Sequence, residues 1–416
     1  MRILVVTQYF WPENFRINDL VSEFTLRGHD VTVLTGYPNY PGGTLFPEFA
    51  ADASAFREYK GVRVIRVPMA VRGQGRLRLL LNYVSFALSA SIFGIWKTRK
   101  MDFDVIFSYE PSPITVAIPA IVVRSIKRVP LVLWVLDLWP ETLQAVGVVR
   151  SPALLRVVGR IVAFIYRRCD LILAQSRSFI PQIKKYAAGH GRIEYFPSWA
   201  ESVFALGEVT AATEVQKSEA FNVMFAGNIG EAQDFPMILA AAERLKGHAK
   251  VRWLIVGDGR KADWVRCEIL RLGLERSVMM VGSYPVERMP SFYEHADALL
   301  VSLKDDPIFS MTIPGKLQSY FAAGRPVIAV LNGEGADVVR NAGAGVAVPA
   351  GDSKGLADAV LRLQALPAEE LAAMGRNSRA LSVNEFNREK LISQLEQRLV
   401  TICHRSEVAP LIRTGL

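Results

Sequence analysis

Along the first half of the chain, short apolar, β-branched runs alternate with stretches whose apolar positions recur every three or four residues. The runs are RILVVTQ from Arg2, DVTVLTG from Asp30, VRVIRV from Val62, FDVIFS from Phe103, PLVLWVL from Pro130 and LILAQS from Leu171. Helical spacing fills the gaps, most clearly over 15–28 and 152–168. Near-continuous apolar strands separated by helices predict a parallel sheet covered on both faces. The pattern breaks at 197–219, which is polar and strandless, and restarts with FNVMFAGNIG from Phe221 and five further strand-and-helix units.

The fold class is therefore α/β, with two Rossmann-like, doubly wound domains facing across a cleft. The expected boundaries are 1–196, a linker 197–219, a second domain 220–383, and a C-terminal helical stretch 384–416 that packs back on the first domain. Ligands are expected beyond the carboxyl ends of the strands.

One stretch departs from ordinary amphipathic spacing. Leu79 to Trp96 is uncharged, and its length just reaches that of a membrane span. Arg78, Asn82, Ser85 and Ser89 form one polar helical stripe, and basic residues flank both ends (Arg72, Arg76, Arg78; Lys97, Arg99, Lys100). A stripe and symmetric charge favour an in-plane membrane helix near 75–98, with Tyr83, Phe86, Phe93 and Trp96 available to headgroups. A core helix and a true span are the alternatives.

The chain has 416 residues, half of them hydrophobic, and a net charge of +9, which favours an acidic partner such as a phosphorylated small molecule or an anionic surface. Cys169, Cys267 and Cys403 are far apart and show neither disulfide nor zinc spacing, so a cytoplasmic protein is expected. MRILVVTQYF reads as a first strand rather than a leader. No basic and aromatic cluster of the nucleic-acid type stands apart from the membrane-like stretch.

The candidate chemistry concentrates at strand ends. GNIGEAQDF places Gly227, Asn228, Gly230 and Gln233 in the loop after a first strand, with Asp234 as a possible cap of a helix over 235–246. VGDGR repeats the device with Gly257 and Gly259. Glycines let the backbone approach a ligand, and helix starts offer N–H groups to phosphate. In SMTIPGKLQSYFAAGRPVI, Lys316 stands in the first turn of a predicted helix 316–323, where a cation opposes the helix dipole unless a diphosphate shares the site.

In the first domain, LVLWVLDLWPET ends an apolar strand with Asp137, followed by Glu141. A dry unpaired carboxylate costs several kcal/mol, on the order of 3–5, so Asp137 is read as a cleft residue or a helix cap. Glu13 in WPENFRIN is a cleft or helix-start residue. GYPNYPGG offers Tyr37, Asn39 and Tyr40 as acceptor contacts or as ordered surface.

The order GNIG, VGDG, PGKLQSYFAAGRPVI resembles the donor-binding domain of retaining GT-B glycosyltransferases of family 4. YFWPE, LRGHDVTVLTGYPNYPGG and DLWPE resemble acceptor-side motifs of its WbuB-like branch. The resemblance covers essentially the whole chain. It implies transfer of a sugar, an N-acetylated amino or deoxyamino hexose, from a nucleotide diphosphate with uridine as the expected base. It also implies no bound metal, no cofactor, and retention of configuration.

The implied roles are Asp137 and Glu141 in catalysis; Gly227, Asn228, Gly230, Gln233, Gly257, Gly259, Lys316, Gln318, Ser319 and Arg325 toward the donor; and Glu13, Tyr37, Asn39 and Tyr40 toward the acceptor. The sequence departs from the family at its paired glutamates, which align with Met311 and Ser319, so Ser319 or Gln318 would have to meet the ribose. The family's phosphate-binding cations align with Asn228 and Gln233. A polyprenyl-diphosphate-linked acceptor, handled on the inner face of the cytoplasmic membrane in O-antigen, capsule or exopolysaccharide synthesis, completes the expectation. A nucleotide-sugar 2-epimerase of the same architecture is the alternative.

Overall fold

The structure is a computed structural model. It describes residues 1–73, 75–145, 147, 149, 151–205 and 209–413, with backbone alone for 76, 205 and 405–413. The Arg76 side chain, 206–208 of the expected linker, and 414–416 of the C-terminal stretch therefore lie outside the described residues. The chain forms two compact units, Met1–Phe196 with Ile392–Leu416, and Pro197–Leu391.

In the first unit the described strands are β1 (Arg2–Val6), β2 (Asp30–Gly36), β3 (Glu58–Tyr59), β4 (Val62–Val67), β5 (Val105–Glu110), β6 (Leu131–Val135), β7 (Leu171–Ala174) and β8 (Arg192–Tyr195). Their order is β3-β4-β2-β1-β5-β6-β7-β8, parallel except for the β3–β4 pair. Val5 pairs with Val33 on one side and Phe107 on the other. Ile3, Leu4, Val5 and Val6 are all fully buried, so both faces of β1 are covered and the run has no polar alternation to show. The chain winds outward in one direction through β2 and β4 and in the other through β5 to β8. The reversal lies between β1 and β5, where crevices open beyond the carboxyl ends of strands.

The second unit repeats the plan with β9 (Phe221–Ala226), β10 (Val251–Val256), β11 (Val278–Gly282), β12 (Ala298–Ser302), β13 (Val327–Val330) and β14 (Gly345–Val348). All are parallel in the order β11-β10-β9-β12-β13-β14. The reversal lies between β9 and β12.

One organisational expectation needs correction, and the expected return of the C-terminal helix to the first unit is observed. The stretch read as a linker packs into the second unit: Phe204, Ala212 and Val215 are buried in its core, and the Ala212 amide donates to the Ser291 carbonyl at 3.0 Å or less. Its sparse apolar residues form no period, so composition alone hid them. The helix Arg388–Arg413 joins the first unit from Ile392 onward. Glu396 there accepts from Arg27 at 3.0 Å and pairs with His29 at 2.9 Å, and Arg398 meets Glu194 at 2.8 Å.

The helix Arg76–Thr98 also differs from its reading. Its polar stripe turns inward at Asn82, which is fully buried, donating to the Ala70 carbonyl at 2.6 Å and accepting from Gln8 Nε2 at 2.8 Å, while Arg78 is exposed. Tyr83 and Phe86, expected at headgroups, are buried as well. The outward face is apolar, with Leu77 70% exposed, Leu88 61%, Ile92 65% and Trp96 60%. Close packing fixes the orientation, since a Cβ at Gly94 would lie 2.8 Å from Leu34 Cδ2.

Candidate functional site

Around the β1/β5 reversal, three loops carry the acceptor-side candidates. Glu13 lies ahead of the helix Arg16–Leu26 and does not cap it. It is 2% exposed, and its carboxylate accepts from the amides of Phe10 (3.1 Å), Asn39 (2.8 Å) and Tyr40 (2.7 Å). Burial pushes its pKa up to about 7 against those donors and the nearby Arg66 guanidinium. Glu13 thus pins the GYPNYPGG loop from beneath.

Asn39 is fully buried, donating to the Tyr37 carbonyl (2.8 Å) and accepting from the Arg72 amide (2.9 Å) and Asn82 Nδ2 (3.3 Å). It is a structural node, not the solvent-facing acceptor contact expected of it, because its hydrogen-bonding groups are engaged within the unit. Tyr37 packs on Phe49, with ring centres 5.1 Å apart. Tyr40 is half-buried against Tyr9 and Phe15, at 5.3 and 5.2 Å, with the Arg72 guanidinium 5.1 Å from its ring centre. Tyr40 and Arg72 therefore bring an aromatic edge and a cation together at the carboxyl end of the sheet.

Asp137 follows β6. Its carboxylate accepts from the Thr142 hydroxyl and from Trp139 Nε1 at 3.2 Å. The helix Glu141–Ala145 starts later, so Asp137 tethers that helix through a side-chain hydroxyl rather than capping its N–H groups. Burial raises its pKa, opposed by hydrogen bonds from Thr142, Ser112 and Trp139.

Beside it stands a residue that strand patterning missed. Glu110, the last residue of β5, is fully buried, and its Oε2 lies 3.4 Å from the Asp137 amide nitrogen. Burial first, and the Asp137 charge second, push its pKa well above the usual range. Asp137 has hydroxyl and indole donors while Glu110 has only backbone amides, so Glu110 is the partner whose pKa is pushed up further. The signal was legible as a carboxylate ending the run FDVIFSYE, directly before PSP.

Glu141 points the other way. It accepts from Tyr186 at 3.3 Å, and its Oε2 is buried without a partner among the described residues, as is the Tyr166 hydroxyl.

In the second unit, the loops after β9 and β10 interlock. Gly227 (φ 124°) and Gly257 (φ 151°) meet backbone to backbone: a Cβ on Gly257 would lie 2.0 Å from the Gly227 carbonyl oxygen. The Ile229 amide donates to the Asp258 carbonyl at 2.8 Å, and a Cβ on Gly259 would lie 2.4 Å from the Ile229 carbonyl oxygen. Asn228 is exposed on this loop. Gln233 closes the loop instead of facing a ligand, its Oε1 accepting from the Gly230 amide at 3.1 Å. Asp234 adopts a left-handed conformation, and its side chain makes no cap hydrogen bond.

Lys316 enters the same place from the helix Gly315–Ala323. Its ammonium is enclosed, lies 3.6 Å from the Phe225 ring centre, and has no hydrogen-bond partner among the described residues. Desolvation lowers its pKa to about 7. Gly227 makes room for it, since a Cβ there would lie 2.8 Å from Lys316 Cε. Two further cations that sequence reasoning missed, Lys261 and Lys304, converge on Glu231, Lys261 at 2.9 Å. Lone lysines in polar loops gave no periodic signal.

Three donor-side expectations change. Gln318 is 1% exposed, and its amide group, turned to donate, meets the carbonyls of Pro314 (3.2 Å) and Gly315 (2.8 Å), so it serves its own helix. Ser319 is nearly buried and donates to Glu201 Oε2 at 3.0 Å. A carboxylate absent from the aligned position is thus supplied by Glu201, from the stretch read as linker. Arg325 lies past the helix and ahead of β13, at the amino edge of the sheet, paired with Glu294 at 2.8 Å. A parallel sheet places that edge opposite the glycine loops, so Arg325 is no donor ligand.

Among the described residues, no three His, Cys, Asp or Glu side chains gather as a metal-binding group.

Comparison with known proteins agrees with this geometry. Residues 14–199 match the family described as Glycosyl transferase 4-like domain, and residues 220–365 match Glycosyl transferases group 1. A protein of Escherichia coli K12 named as a colanic acid biosynthesis glycosyl transferase, WcaI, is 24% identical over 341 residues, 78% of this chain and 82% of that one. Anabaena HepE, solved with UDP, superposes with TM-score 0.70 at 16% identity, covering 96% of this chain and all of that one. Sucrose-phosphate synthase from Thermosynechococcus elongatus superposes with TM-score 0.74 at 16% identity, covering 96% and 98%. Residues 14–199 thus match glycosyl transferase 4-like domains and 220–365 match group 1 glycosyl transferases, and the chain is a glycosyltransferase of GT-B fold.

Proposed function

We propose that this enzyme moves a sugar from a uridine diphosphate donor onto a polyprenyl-diphosphate-linked glycan at the cytoplasmic membrane surface, in synthesis of an O-antigen, capsule or exopolysaccharide. The observation that carries the donor side is Lys316: an enclosed ammonium without a hydrogen-bond partner among the described residues, at the β9/β12 reversal, beside two interlocked glycine loops. A buried cation without an acceptor is unfavourable alone and favourable once an anion arrives. HepE, a structural neighbour, was solved with UDP, which supports a diphosphate in that role. Glu201, held by Ser319, is the carboxylate assigned to the ribose hydroxyls.

On the acceptor side, Asp137 orients the incoming hydroxyl and Glu110 holds a proton beside it. The leaving phosphate oxygen takes the acceptor's proton on the face where the new bond forms, which retains configuration without a protein nucleophile. Tyr40 and Arg72 suit the sugar and diphosphate of a lipid-linked acceptor. The name of WcaI supports envelope polysaccharide synthesis as the setting, and an N-acetylated amino or deoxyamino hexose is the sugar proposed. The outward apolar face of Arg76–Thr98 supports a peripheral seat on the inner membrane face, and favours transfer over a soluble epimerase.

The test is a thermal-shift screen over nucleotide sugars, followed by transfer assays on lipid-linked acceptors. Stabilisation by a nucleotide sugar with label passing to the lipid fraction fits the proposal. Interconversion of free nucleotide sugars without transfer would contradict it.

A further inference from the structure

A second helix presents an apolar stripe to solvent. In Pro152–Tyr166, Leu154, Val157, Ile161 and Phe164 are 48%, 49%, 36% and 44% exposed, although the same helix buries Val162, Ile165 and Tyr166. At 100° per residue the exposed apolar stripe lies between the packed face and a third stripe of exposed arginines, Arg156, Arg160 and Arg167. Arg168 lays its guanidinium 3.6 Å from the centre of the Phe164 ring. No acidic residue occurs from 152 to 168.

This helix shares a layer with Arg76–Thr98. The β4 to β5, β5 to β6 and β6 to β7 connections all advance in one direction along the sheet, and right-handed crossovers place their helices on one face. The helix Ala117–Lys127 packs against both and adds Ile126, 54% exposed.

We propose that Pro152–Tyr166 is a second membrane-docking helix, seating this face on an anionic phospholipid bilayer with its apolar stripe in the headgroup region and its arginines on lipid phosphates. The charge decides the occupant. Apolar residues beside an unbroken basic stripe match an anionic surface, whereas a second copy of this chain would set arginine against arginine. The proposal extends the peripheral-membrane reading of Arg76–Thr98, and its test alters Pro152–Tyr166 alone, so that the two can fail separately.

The experiment is co-sedimentation of the full chain with vesicles of phosphatidylglycerol and phosphatidylcholine, and with phosphatidylcholine alone. One variant carries Ile161→Ser and Phe164→Ser; a second carries Arg156→Gln, Arg160→Gln and Arg167→Gln. All five positions are exposed, and melting temperature with UDP binding checks that each variant is folded.

The arginine variant is expected to lose about fivefold in anionic-vesicle affinity per charge removed, with little change on neutral vesicles. The serine variant is expected to lose at least tenfold on anionic vesicles. Wild-type binding by both folded variants overturns the second docking helix while leaving Arg76–Thr98 standing; no binding by the native chain overturns both readings. A native dimer that the serine variant converts to monomer, with vesicle binding unchanged, identifies the stripe as a contact between copies and also overturns the proposal.

Discussion

The Lys316 ammonium stands 3.6 Å from the centre of the Phe225 ring, with no hydrogen-bond acceptor among the described residues. Its side chain runs across Gly227, where a Cβ would lie 2.8 Å from Cε. A cation held over an aromatic face thus stands at the carboxyl end of a central strand of the second sheet, where the proposed diphosphate would bind.

Lys316→Met should weaken UDP binding by about 10- to 100-fold, the scale of one charge-assisted hydrogen bond of ~1.5–3 kcal/mol. Calorimetry in buffers of different ionisation enthalpy adds a sharper readout. With the free pKa lowered to about 7, much of Lys316 is neutral at pH 8, and diphosphate binding should draw a proton in. That uptake should vanish in the variant.

The same group fixes a sign for stability. The unfolded lysine holds its proton up to about 10.5 and the folded one only to about 7, so between those values the unfolded state binds more protons and this group makes stability rise with pH. Lys316→Met should flatten that rise from pH 7 to 10 in denaturant melts; an unchanged slope would place the ammonium in water.

Glu110 and Asp137 separate by their protonation. Asp137→Asn should cut turnover by two or more orders of magnitude with UDP affinity intact. Glu110→Gln keeps a neutral group and should reduce turnover far less while altering the alkaline limb of the pH-rate profile, where the native Glu110 loses its proton. Because the folded pKa of Glu110 is raised, the folded state binds more protons above the unfolded value of about 4.5, and stability from this group falls as pH rises. The stability of Glu110→Gln relative to the native chain should therefore improve from pH 5 to pH 8.

Glu13 accepts three backbone amides from two loops. Glu13→Gln turns an NH2 toward N–H donors and should destabilise the protein by about 1–3 kcal/mol. Acceptor KM should rise while UDP affinity holds, which steady-state kinetics with calorimetry would separate.

Gly257→Ala sets a methyl 2.0 Å from the Gly227 carbonyl oxygen, whereas Gly28→Ala, also at positive φ, meets nothing within 4 Å. The Gly28 change should cost only backbone strain, about 1 kcal/mol. Gly257→Ala should lower the melting point clearly further and abolish UDP binding.

The strands were readable because both sheets are buried on two faces, so β1 and β9 appear as unbroken apolar runs. The glycine loops and Lys316 were readable because backbone contact and a cation at a helix start violate local preference unless a ligand is expected. Glu201 was not, since its partner Ser319 is 118 positions away and no local pattern records such a pairing. Arg325 looked like a phosphate ligand only because it follows Lys316 in sequence; the direction of one nine-residue helix carries it to the far edge. The stripe of Arg76–Thr98 was legible, but not that Tyr83 and Phe86 are buried with Asn82. Spacing gives a stripe, whereas packing around Asn82 decides which side is inside.

The central claim is sugar transfer from a nucleotide diphosphate onto a lipid-linked acceptor. Incubating the native chain and Lys316→Met with labelled UDP-sugars and acceptor-bearing anionic vesicles tests it most directly. Stoichiometric release of UDP with label entering the lipid fraction is expected, with loss of both in the variant. Label that never enters lipid, or transfer that proceeds undiminished without Lys316, would contradict it.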